Sequence, residues 1–432
     1  MISNWLSATL ARRQVHYSWV MVGVTFLAAL VSAGAVGAPG VFIRPLEQEF
    51  GWSTAEISIA LSIRLLLFGL MAPFAAALLN RYGLRTVTTA ALAFVAAGLL
   101  ASLFMTDLWQ LVLLWGFVVG FGTGMTALVL GATVAARWFT AHRGLVIGIL
   151  TASSATGQLA FLPLLAWLTD LYGWRTALSM VCIALIIAVV AVVLLMRDRP
   201  EDVGQRPYGD TGTDPLPPLP PQTGSIFGAA FGALREASRE PIFWVLFFTF
   251  FICGASTNGL IHTHFIPFCS DYGMAATAAA TLLAVMGIFD FVGTIGSGWL
   301  SDRYDNRQLL FWYYGLRGLS LIALPFTNFS FYGLSLFAVF YGLDWIATVP
   351  PTVRLTVSKF GPEKANLVFG WIFAGHQIGA ATIAFAAGAS RTYLSSYLPA
   401  FFAAGFLCLI AAIAIVTIAR DKQQRTPSTA AA

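Results

Sequence analysis

The sequence predicts an all-α membrane protein of twelve transmembrane helices in two parallel six-helix repeats. Three observations predict it: composition, the length of the apolar runs, and an internal repeat at one constant offset. Of 432 residues, 58% are hydrophobic and 10% are charged, and mean hydropathy is +0.79. A soluble globule of this length cannot cover itself with so few polar side chains. The apolar residues gather in runs long enough to cross about 30 Å of hydrocarbon at about 1.5 Å per residue.

Read between polar punctuation, the spans fall near 18–40, 54–78, 87–105, 109–135, 144–168 and 175–196, then 242–267, 277–300, 309–326, 331–353, 365–389 and 396–419. Arg12 and Arg13 before the first run also fit a secretory signal, but the run continues into a segment that the repeat requires. Four scattered cysteines show no metal spacing, and Cys182, Cys253 and Cys408 fall within spans, so membrane packing is their expected role.

Placing the amino terminus in the cytoplasm puts 19 of the 24 Lys and Arg residues on that side, against Arg44, Arg175 and Arg391 opposite. Both termini are therefore expected in the cytoplasm, in a bacterial inner membrane, and the net charge of +5 needs no nucleic-acid partner. Residues 197–240 change character, with TGTDPLPPLPPQTG in place of aliphatic residues. They read as a cytoplasmic linker between a bundle at 1–196 and a second bundle with a short tail at 241–432.

The repeat has an offset of 222 residues. Gly37 and Pro45 map onto Gly259 and Pro267, and Arg81, Tyr82 and Arg85 map onto Arg303, Tyr304 and Arg307. Gly120, Arg137, Gly148, Ala152 and Gly157 map onto Gly342, Lys359, Gly370, Ala374 and Gly379. One gapless register joining charged loops to helix glycines implies two parallel halves around a midplane cavity.

GWLSDRYDNR (298–307) and its counterpart LNRYGLR (79–85) resemble the loop motif of major facilitator transporters. The resemblance implies the major facilitator fold, with Arg81, Arg85, Asp302, Arg303 and Arg307 latching the cytoplasmic side. Asn80 stands where that family usually has Asp, which weakens the first latch. RWFTAHRGLVIGILTASSATG (137–157) and GVFIRPLEQEFGWS (40–53) are similar to bacterial monocarboxylate and oxalate:formate transporters. Gly144, Gly148, Ala152 and Gly157 permit close helix approach.

Charges inside the membrane are costly and are the default functional candidates. Asp290, Arg317 and Asp344 each lie 10 to 12 residues from a cytoplasmic-loop charge, about 15 to 18 Å in, and His376 with Gln377 reaches the same depth. Their repeat partners Phe68, Val95, Gly122 and Ser154 are uncharged, so the second half alone carries the buried chemistry. One Arg between two acids suggests an ion pair at Arg317 that leaves one carboxylate able to take a proton. The monocarboxylate resemblance implies an Asp in the eighth span with an Arg four residues later. Asp290 fits the first, and Thr294 departs from the second.

Asp290 is thus read as a proton-coupling group or a structural partner, Asp344 and Arg317 chiefly as an ion pair, and His376 and Gln377 as cargo contacts or packing. Arg64 either attracts an anion or snorkels outward. Asn258, His262 and His264 are read as part of an outer cavity or gate, or as hydrogen-bonding groups; two residues apart, the histidines do not share a helical face for a metal.

Transport of a small organic anion coupled to protons leads, ahead of efflux of drug-like compounds and a membrane sensor. No phosphate loop, metal cluster or nucleophile-base arrangement points to an enzyme, a metal or a cofactor. The expected partners are the cargo, protons and lipid, and the chain is expected to act as a monomer.

Overall fold

The computed structural model describes residues 2–126, 128–210, 212 and 226–417. Twelve long helices follow one another among them: α1 (Ser18–Phe50), α2 (Thr54–Tyr82), α3 (Leu84–Ser102), α4 (Leu108–Trp138), α5 (Arg143–Tyr172), α6 (Trp174–Leu195), α7 (Pro241–Asp271), α8 (Ala276–Ser301), α9 (Asn306–Phe326), α10 (Tyr332–Gly361), α11 (Lys364–Leu394) and α12 (Leu398–Val416). Eleven are long and apolar enough to cross a membrane, and α5 is a continuous 30-residue helix. The proline-rich stretch 211–224 lies outside the described residues apart from Gly212.

The 222-residue register governs these boundaries. Shifted by it, the starts of α1 to α6 fall within two residues of the starts of α7 to α12. The stop signals repeat too: α1 and α7 end before Gly51 and Gly273, both with positive φ (68° and 81°), a conformation that glycine adopts without a Cβ penalty. In the first set α5 packs on α1, and in the second α11 packs on α7. A Cβ on Gly157 would come 2.6 Å from the Leu30 carbonyl, and one on Gly379 would strike Phe251. Such close approach replaces the hydrophobic drive that helices lack in lipid. Gly148, read from sequence as a contact residue, faces open space.

Peripheral helices show where lipid lies. On α6 Ile183, Ile186, Ile187, Val190 and Leu194 are exposed at helical spacing, as are Trp312, Leu316 and Leu319 on α9 and Phe406, Ile410 and Ile413 on α12.

Two spans expected to be continuous are broken at matching points. α4 interrupts at Thr126 (φ −101°, ψ 3°), and α10 stops at Asp344, turns through 345–348 and resumes at Val349. In α10, Pro350 and Pro351 supply no N–H to the helix ladder, so the preceding turn cannot close. In α4 the run Gly120, Gly122 and Gly124 weakens the helix instead. Each break is tied to the first helix of its own set through a threonine at the same repeat position. Thr126 Oγ1 lies 3.0 Å from Ser32 Oγ, and Thr348 Oγ1 lies 3.3 Å from Cys253 Sγ.

On the face carrying the basic loops, part of the linker is docked. The Tyr208 N–H donates to the Trp138 carbonyl (2.8 Å), and the Tyr17 N–H donates to Gln205 Oε1 (3.1 Å). A linker helix, Ile226–Ala237, lies against α2 and α11. Trp371 Nε1 donates to the Ala230 carbonyl (2.8 Å), the Phe231 ring sits 5.4 Å from Trp371 and 6.1 Å from Phe74, and Glu236 pairs with Lys364 (2.6 Å). This helix therefore straps one helix of each set together.

Candidate functional site

The break in α10 exposes backbone groups where no water can satisfy them, so side chains must. Arg317 points inward from the outer helix α9 and is 1% exposed. Its Nη2 donates to the carbonyls of Asp344 (2.6 Å) and Trp345 (3.1 Å), its Nε to Asp344 Oδ2 (2.5 Å), and its Nη1 to Cys253 Sγ (2.9 Å). Ser297 Oγ donates to the Ala347 carbonyl (2.5 Å). Asp290 Oδ1 accepts from the Ile346 N–H (2.9 Å) and Thr294 Oγ1 (3.1 Å). Asp344 Oδ1 is left without a partner among the described residues.

The three midplane charges thus meet at one unwound turn. Arg317 caps its carbonyl end and pairs with Asp344, while Asp290 holds its free N–H. Thr294, which departs from the family pattern, is the second donor to Asp290. Ser297 and Thr348 belong to the same assembly and were not singled out from the sequence, and Cys253, expected only to pack, accepts from Arg317 within it. The proline pair inside an apolar run was the available signal.

A second group lies where the two sets of helices meet, along α1 with α7 and α2 with α11. Gln377 is fully buried, neither of its amide atoms has a partner among the described residues, and it fits because Gly69 leaves room: a Cβ there would come 2.9 Å from Gln377 Cγ. His376 stacks on Phe373 (5.7 Å) and approaches Phe250 (4.8 Å), with Nδ1 unpartnered. Arg64 is 3% exposed, so it does not snorkel. Its Nη1 donates to the Val36 carbonyl (2.7 Å), and its Nε has no partner.

The two histidines separate as their spacing requires. His264 hydrogen-bonds the Ala384 carbonyl of α11 (2.8 Å) and packs on Tyr397, whereas His262 Nε2 has no partner and its ring meets Trp345 edge-on at 6.3 Å. Asn258 is half-buried in a π-helical turn of α7, Ala255–Ile261. Toward the face opposite the basic loops, Asp271 of α7 pairs with Arg44 of α1 and with Arg391 of α11 (2.6 Å), and the Ala55 N–H donates to Thr392 Oγ1 (3.0 Å). These contacts close that end between the two sets.

On the basic face, Asp302 pairs with Arg354 of α10, Arg303 lies over Trp299 (4.2 Å), and Arg307 pairs with Asp305 (2.7 Å). Asp305 also caps α9 by accepting from the Arg307 N–H (3.0 Å). The repeat puts Gly83 at the Asp305 position, and the missing acid comes from elsewhere. Asp198, beyond α6, accepts from the Arg85 N–H (3.0 Å), and a Cβ on Gly83 would come within 2.6 Å of that carboxylate. The Arg81 guanidinium lies over Tyr82 (5.6 Å). Asp198→Ala is expected to lower stability by about 1 kcal/mol, the value of a helix cap. An unchanged unfolding midpoint in detergent would remove the capping role.

The Major Facilitator Superfamily model matches residues 25–384. Rat monocarboxylate transporter 13 is 26% identical over 406 residues, covering 93% of this chain and 89% of that protein. The MFS-type transporter YcxA of Bacillus subtilis is 22% identical, covering 87% and 89%. Among solved structures, a D-xylose-proton symporter superposes with a TM-score of 0.69 at 11% identity, covering 95% of this chain and 100% of that one, which speaks to fold alone. Matched across most of its length and carrying the fold in two registered sets of helices, the chain belongs to the Major Facilitator Superfamily and is related to its monocarboxylate transporters.

Proposed function

We propose that the protein is a secondary active transporter that carries a small monocarboxylate-like anion by alternating access, coupled to protons. The observation that carries this reading is a set of buried polar atoms without partners among the described residues (Arg64 Nε, His262 Nε2, His376 Nδ1 and both amide atoms of Gln377) on helices that face each other across the two sets. Most buried polar groups in folded proteins are hydrogen-bonded, so free ones on helices that meet across the two sets fit a hydrogen-bonding cargo. The kinship with monocarboxylate transporters supports an anion as that cargo.

In this reading residues 1–196 and 241–432 rock as units about the site, 197–240 tethers them, and the basic face is cytoplasmic in a bacterial inner membrane. Asp290 carries the coupled proton. Proteoliposomes acidified outside should accumulate labelled lactate, pyruvate, formate or oxalate above the level reached without a pH gradient. Indifference to all four would refute the anion, and extrusion of cationic dyes in its place would favour drug efflux.

A further inference from the structure

Arg64 is the one buried cation of the membrane region that has no carboxylate partner among the described residues. Arg317 has Asp344, and the acids nearest the closed end are engaged with other groups: Asp271 with Arg44 and Arg391, Glu49 with Arg175, and Glu47 with Thr54. Burying an uncompensated guanidinium is costly, and two backbone carbonyls of α1 offset only part of that cost.

The way Arg64 is held defines which of its N–H groups are free. Its Nη1 is committed to the Val36 and Ala35 carbonyls (2.7 and 3.5 Å), exposed where α1 is interrupted ahead of Pro39. That leaves Nε and Nη2, neither of which has a hydrogen-bond partner among the described residues. Together these two form the side-on edge of the guanidinium, whose parallel N–H groups match the two oxygens of a carboxylate.

His262 supplies a third free group. A Cβ on Gly37, the residue after Val36, would come 3.4 Å from His262 Nε2, so the imidazole faces the same point of α1 that Arg64 grips. The two side chains thus bear on adjacent residues of α1, Gly37 and Val36. They also share a depth: Arg64 is ten residues from the start of α2 and His262 nine from the end of α7, each about 14 to 15 Å along its helix. Arg64 belongs to the first set and His262 to the second, so a ligand held by both bridges the two halves. Trp345, the first residue of the unwound turn in α10, packs against the His262 ring.

We propose that Arg64 and His262 together bind the carboxylate of the cargo, with the side-on edge of Arg64 taking both oxygens and His262 Nε2 donating to one of them. Trp345 then lies beside the cargo, and the next residue along the turn, Ile346, is the one Asp290 holds. This assignment rests on the anion-transport reading above and goes beyond it by naming the contact.

The test is counterflow kinetics of labelled pyruvate in proteoliposomes. Arg64→Gln should raise KM about 30-fold or more, as loss of one partner of a desolvated charge pair does. His262→Leu should raise it about tenfold, within the range for one lost hydrogen bond to a charged group. Arg64→Lys preserves the buried charge and, with it, folding, but not the paired edge; it should raise KM about tenfold without a matching loss in kcat. Arg175→Gln, on a surface pair, should change neither constant. If wild-type protein carries none of the carboxylates, both the transport reading and this one fall. If wild-type protein carries pyruvate and both Arg64 variants retain its KM, the anchor alone is overturned.

Discussion

Liposomes containing Asp290→Asn protein are expected to lose pH-driven accumulation of the carboxylate while continuing to exchange labelled for unlabelled substrate. The substitution preserves shape: the amide oxygen of asparagine can still accept from the Ile346 N–H and from Thr294 Oγ1, so the unwound turn of α10 keeps its partner. What the amide cannot do is change charge. Asp290 is 8% exposed, and its second oxygen makes no hydrogen bond among the described residues, so a proton has a place to go. Exchange needs only binding and rocking, whereas accumulation needs the proton to travel with the cargo. Accumulation that survives in Asp290→Asn protein would place coupling elsewhere, with Asp344 the next candidate because its Oδ1 is also free.

The largest effect on stability is expected at Arg317. Arg317→Met strands the Asp344 carboxylate, which has no other hydrogen-bonding cation, and uncaps two carbonyls of the broken helix. Removing one member of a buried ion pair costs about 3–5 kcal/mol. Asp344→Asn should cost less, because Arg317 keeps its bonds to both backbone carbonyls, and the unfolding midpoints in detergent should therefore order as wild type, Asp344→Asn, Arg317→Met. Adding Asp344→Asn to Arg317→Met should stabilise rather than harm, since it neutralises the stranded charge, which is the signature of a coupled pair. An Arg317→Met midpoint equal to wild type would mean that the turn is held without it.

How far the site was legible depends on what each inference required. That Asp290, Arg317 and Asp344 share a level followed from residue counts, because helical rise is fixed. That Arg317 turns inward from α9 did not follow, since rotation about the helix axis is set by what the helix packs against. The separation of His262 from His264 was visible in their spacing, but the Ala384 carbonyl that engages His264 lies 120 residues away. The break in α10 contradicts the continuous span expected at 331–353, although Pro350 and Pro351 were a signal for it; the broken α4 carries no proline and hides among apolar residues. Asp198 is the plainest case, an acid 113 residues from the N–H it caps, standing in for one that the repeat lacks at Gly83.

From sequence alone came the membrane setting, the number and order of the helices and the register of the two repeats, because hydropathy, helical rise and repeat offset are properties of the chain read along its length. The tertiary structure decided which buried charges are satisfied and which are not. Arg317, expected to pair with an acid, is saturated by Asp344 and the carbonyls of a broken helix, whereas Arg64, expected to attract an anion or to snorkel, presents a free edge between the two sets. That difference arises only where distant helices meet, because in a bilayer a buried polar group must find its partners within the protein.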